Sequence, residues 1–111
     1  MSHPVIDPHV FDELQANAGA DFVAELVDTF AEEAPGLLAE MRSALTAGAA
    51  ERFRRAAHSL KSNSHTFGAM HLADQARTLE LGGLPPSAAG VDALARDVET
   101  TLVALKTLAR P

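Results

Sequence analysis

A histidine stands one helical turn ahead of a lysine in the run Arg54-Arg55-Ala56-Ala57-His58-Ser59-Leu60-Lys61-Ser62-Asn63-Ser64-His65. On a helix of about 3.6 residues per turn, Phe53, Ala57, Leu60, Ser64 and Phe67 share one stripe roughly 80° wide. His58 projects about 140° from the centre of that stripe, among Arg54, Arg55, Lys61, Ser62 and His65. Such a helix buries one side and presents an imidazole on the other. A neutral exposed imidazole is a competent nucleophile near pH 7, and the surrounding cations attract an anionic reactant.

The charge pattern supports a local anionic target. The chain of 111 residues carries a net charge of −6, yet Arg52, Arg54, Arg55 and Lys61 gather four of its nine Lys and Arg residues within ten positions. An acidic chain without Trp or Tyr makes a poor nucleic-acid binder, lacking both the overall charge and the stacking platforms. The absence of Cys removes thiolate nucleophiles and cysteine-ligated metal sites. The histidines offer no obvious metal site either. His58 and His65 would lie about 10 Å apart along a helix, His71 belongs to the next helix, and His3 and His9 lie near the N-terminus. The opening Met1-Ser2-His3-Pro4-Val5-Ile6-Asp7 has no basic start or long apolar run, and no stretch approaches a membrane span. A cytoplasmic location is the expectation.

Helical elements must position the histidine. Asp7-Pro8 reads as an N-cap followed by a first-turn proline, with Ile6 and Phe11 at staple spacing, opening a short helix that ends near Asn17-Ala18-Gly19. A second helix starts at Ala20-Asp21, carries Phe22, Leu26 and Phe30, and is expected to stop before Pro35. Gly36 to Ala47 then forms a third, with Leu37, Leu38, Met41 and Leu45 in helical register and Gly48 as its cap. The His58 helix runs from about Ala49 to Thr66. Gly68 breaks it, and a helix from Ala69 follows with Leu72, Ala76 and Leu79 on one side. Gly82-Gly83-Leu84-Pro85-Pro86 is a connector. Ser87 caps a last helix whose stripe is Val91, Leu94, Val98, Leu102 (or Thr101), Leu105 and Leu108. The expected architecture is all-α: an antiparallel up-down four-helix bundle with one or two additional short N-terminal helices, as a single domain over 1–111. The start at Met1 and the capped last helix lead us to expect a complete small protein.

Residues 53 to 80 resemble the signature of the histidine-containing phosphotransfer domain, or Hpt domain. That pattern has a histidine, an apolar residue two later and a lysine three later, then small residues. A glycine with a small residue follows ten and eleven positions on, and a Leu-Glu pair closes the next helix. Here these are His58, Leu60, Lys61, Ser62, Asn63, Ser64, Gly68, Ala69, Leu79 and Glu80. The segment Phe30-Ala31-Glu32-Glu33-Ala34-Pro35-Gly36-Leu37-Leu38 is also similar to the family, so the resemblance covers nearly the whole chain. Ser62 departs from it: the family usually has glycine four residues after the histidine, where it leaves room for the partner.

The resemblance implies a phosphorelay carrier. His58 would accept a phosphoryl group from the aspartyl-phosphate of a receiver domain or from a hybrid histidine kinase, and pass it to a response-regulator receiver. Lys61 would balance charge on the phosphoryl oxygens. Ser62, Arg54, Arg55 and His65 are the candidates for partner access and docking, and Val10, Phe11, Leu14 and Phe22 for an apolar patch beside the histidine. No nucleotide-binding motif and no carboxylate cluster for a divalent cation is visible. The expectation is therefore a carrier rather than an enzyme, monomeric and without its own cofactor, with Mg²⁺ supplied by the receiver. A bundle that docks a receiver or kinase without taking phosphate is the alternative, and an independent metal-dependent enzyme is disfavoured.

Overall fold

Heptad-like apolar spacing builds the longest element. Val23, Val27, Phe30, Ala34, Met41 and Ala44 are all buried, and half-buried Leu37 fills the remaining position of an alternating four-three rhythm. In the computed structural model, which describes residues 5–109, this stripe lies on a single helix. The elements are α1 (Pro8–Ala18), α2 (Ala20–Ala47), α3 (Ala50–Thr66), α4 (Met70–Leu81) and α5 (Ala89–Leu108). The expected break at Pro35 is absent, and the two helices anticipated on either side of it are one. A helix-interior proline costs about 3 kcal/mol. Burying Phe30 on one side of it and Met41 on the other contributes roughly 1.5–3 kcal/mol each, and a break would put the two out of phase. Pro35 and Gly36 both face solvent, where a weakened helix ladder is tolerated best.

The other expected elements form close to their expected limits. Asp7 caps α1 by accepting the His9 backbone N–H at 3.0 Å, and Pro8 occupies the first turn. Gly48 ends α2 in the left-handed region, its N–H reaching back to the carbonyls of Ala44 and Leu45. Ser87 sits one residue ahead of the α5 cap position and accepts the Ala89 N–H at 3.3 Å. On α5, Val91, Leu94, Val98, Thr101 and Leu105 are buried, so Thr101 rather than Leu102 occupies the core register. Leu108, expected in that stripe, is 46% exposed at the end of α5.

Helices α2, α3, α4 and α5 pack each against the next and close the ring between α2 and α5, giving a four-helix bundle with one short N-terminal helix laid against α2. The stacked rings of Phe30 and Phe67, 5.5 Å apart, tie α2 to the α3–α4 turn. That turn needs glycine at position 68. Its φ is +79°, and a Cβ there would lie 2.9 Å from the Val10 Cβ. The Asp7 N–H donates to the Gly68 carbonyl at 2.8 Å, so this glycine also joins the start of α1 to the α3–α4 corner. No described helix is long and apolar enough to cross a membrane.

Candidate functional site

The stripe that anchors α3 is as expected: Phe53, Ala57, Leu60, Ser64 and Phe67 are buried. Ser64, the polar member, is satisfied by donating its hydroxyl to the Leu60 carbonyl at 2.7 Å. With that face fixed, the His58 side chain stands at the surface, 52% exposed.

Its ring is oriented by a residue of the neighbouring helix. Nδ1 of His58 lies 2.7 Å from Oε2 of Glu80, in the last turn of α4. Glu80 is only 8% exposed, and its other oxygen, Oε1, is 3.0 Å from Nζ of Lys61. The Lys61 contact is a charge pairing rather than an aligned hydrogen bond. Lys61 is the main influence holding the Glu80 carboxyl below the ordinary glutamate range; burial opposes it, and His58 adds to it. An ionised carboxylate only accepts hydrogen bonds, so the neutral His58 ring donates from Nδ1. Nε2 then keeps its lone pair and points away from α4. A buried carboxylate thus sets the tautomer of an exposed imidazole, the arrangement that makes a positioned nucleophile.

The remaining expected residues separate. Arg54 is engaged by Glu51 in its own turn of helix through two hydrogen bonds, one of them from Nε at 3.2 Å. Arg55 is exposed and forms no ion pair among the described residues. Ser62 is exposed one turn beyond His58, and His65 is exposed at the end of α3. Of the four apolar docking candidates, Phe11 is a core residue, Val10 and Leu14 are half-buried, and Phe22 is 52% exposed. His9 is exposed on α1, and His3 lies outside the described residues. Among the described residues no three His, Asp or Glu side chains gather as metal ligands.

Glu80, the partner of His58, enters the sequence reading only as part of a signature. A signal was present. Leu72, Ala73 and Ala76 mark the buried side of α4, and Glu80 follows Ala76 by four residues, which places a carboxylate in the core register. A glutamate in that position is nearly always paired.

Comparison with known proteins agrees with this fold. The Hpt domain family profile matches residues 25–106. The crystal structure of histidine-containing phosphotransfer protein B (HptB) from Pseudomonas aeruginosa PAO1 is similar at 30% sequence identity. It superposes with a TM-score of 0.75, covering 97% of this chain and 93% of that one. No curated protein matches the sequence. The profile match and the structural match make the assignment, and a helical bundle with an outward imidazole on α3 accords with it: this chain belongs to the Hpt domain family, the phosphocarrier modules of histidine phosphotransfer in two-component signalling.

Proposed function

We propose that His58 is the phosphoacceptor of a single-domain carrier spanning residues 1–111. It takes a phosphoryl group on Nε2 from a receiver aspartyl-phosphate or a hybrid histidine kinase, and delivers it to a response-regulator receiver. The observation that carries this reading is the 2.7 Å contact from Nδ1 of an exposed His58 ring to a nearly buried Glu80 carboxylate. Lys61 stabilises the site through its charge, since it keeps Glu80 ionised beside the ring that must become phosphorylated. Phosphoryl transfer needs in-line positioning and charge neutralisation, and the receiver brings the Mg²⁺ and most of that apparatus. The chain acts as a cytoplasmic monomeric carrier, not an independent enzyme. Its docking face is the outer side of α3 with Arg54, Arg55, Ser62 and His65, extended by Phe22.

Incubation with phosphorylated receivers tests this. Label that is acid-labile and base-stable on the wild type, and missing from His58→Gln with helical content retained, is the expected result. A His58→Gln protein that still takes label overturns the assignment. A receiver that binds tightly yet never transfers phosphate selects the adaptor reading instead.

A further inference from the structure

Four cations stand close to His58 along α3, and three of them are engaged. Arg52 reaches across to α2, with Nη2 at 2.6 Å and Nε at 3.3 Å from the two Glu40 carboxylate oxygens. Arg54 is held by Glu51. Lys61 is held by Glu80. Arg55 has neither an ion pair nor a side-chain hydrogen bond among the described residues, and it is exposed one turn ahead of His58.

The two flanks of the ring therefore differ. On a helical projection Arg54 and Lys61 lie about 40° and 60° to one side of His58, and Ser62 and Arg55 about 40° and 60° to the other. The first flank faces α4 and is filled by Glu80. The second faces α2, where Arg52 pairs with Glu40 at 2.6 Å and is the main influence lowering its carboxyl, with Arg55 adding a smaller contribution. A phosphoryl group on Nε2 carries close to two negative charges on its oxygens, only part of which the ring's own gain of positive charge offsets. The charge of Lys61 is already cancelled by Glu80, so the added charge has to be met from the open flank. Side chains three apart on a helix have Cβ atoms about 5–6 Å apart, within easy reach of a guanidinium. Its planar fork fits two phosphoryl oxygens at once.

Building on the reading of His58 as phosphoacceptor, we propose that Arg55 is the phosphoryl-binding cation of this site, closing over the oxygens of a group carried on Nε2. Phosphoramidate is a probe that needs no partner protein. The Nε2 lone pair forms the new P–N bond while the donor's P–N bond breaks, its nitrogen departs as ammonia, and Nδ1 keeps its proton against Glu80.

At sub-saturating phosphoramidate, Arg55→Ala is expected to label about tenfold more slowly than wild type, the size of one charge-assisted contact. Arg55→Lys recovers only part of that loss, because a point charge lacks the fork. Arg52→Ala stays within about twofold, as its charge is already answered by Glu40. The Arg55 Nε–H resonance shifts on phosphorylation of the wild type and not in His58→Gln. Thermal unfolding of each variant checks that the bundle persists. Wild-type rates in Arg55→Ala, with His58→Gln silent, overturn this proposal alone. A larger loss in Arg54→Ala than in Arg55→Ala transfers the role to Arg54 and overturns it too. Absence of label at His58 in the wild type overturns the acceptor assignment and this proposal together.

Discussion

His58 and His71 each face a carboxylate of a neighbouring helix, at opposite ends of α4. The first pairs through Nδ1 at 2.7 Å with Glu80, which is 8% exposed. The second has Nε2 at 3.7 Å from Asp97 of α5, with His71 itself 75% exposed and Asp97 38%. The residue types match, but the surroundings do not. Glu80 lies in the packed seam between α3 and α4 with Lys61 as a second counter-charge. Asp97 sits beside an open groove lined by Val5, Pro8 and Met70, where water competes for both partners. Burial of the acceptor, not the presence of a carboxylate, turns a surface histidine into an oriented one.

Substitutions at the two sites should separate accordingly. The largest contrast lies in the rings themselves: His58→Gln abolishes phosphate acceptance, and His71→Gln labels at the wild-type level in the same assay. Equal losses would erase the distinction. Next in size is the pair of acceptors. Glu80→Gln keeps the shape but withdraws the charge that selects the Nδ1–H form, and should slow labelling by about 10- to 100-fold, as loss of an orienting partner does elsewhere. Asp97→Asn should leave the rate within about twofold. Ring ¹⁵N shifts provide a separate check, with a mixture of tautomers at His58 in Glu80→Gln only.

The pH response sharpens the contrast further. The Glu80 carboxyl titrates below its ordinary value in the folded chain, so its contribution to stability is fully present above that ordinary value and is lost as pH falls through the lowered one. The urea midpoint of the wild type should exceed that of Glu80→Gln near neutrality, and the gap should close as pH is taken from about 6 to about 3. A gap that widens on acidification would contradict the pairing. The smallest effect is expected from His71→Ala, whose stability should lie within about 0.5 kcal/mol of wild type by denaturant unfolding.

Much of this architecture was legible in the residues, and the exceptions have physical reasons. The outward histidine followed from the apolar register of α3 alone, which even assigned Ser64 to the buried side. Pro35 misled because its local penalty is visible at one position, whereas the compensating burial is spread over Val23 to Ala44. The unbroken four-three rhythm across Pro35 was the better signal. Phe11 could not be assigned to the core by periodicity, since a helix as short as α1 has no long stripe to compare against, whereas Phe22 opens α2 one position ahead of the buried stripe that begins at Val23 and so stays exposed. The partner of His58 lies 22 positions downstream, and only the packing of α4 on α3 brings it near.

The place of Glu80 in its helix has a further consequence. It is the penultimate residue of α4, just ahead of Gly82 and Gly83, and helix termini are where a native fold opens most readily. The imidazole thus takes its bearing from the end of a different helix. Unwinding of that terminus would release Nδ1 and let the proton migrate between the ring nitrogens. The share of one ring tautomer would then depend on how tightly that distant turn stays wound.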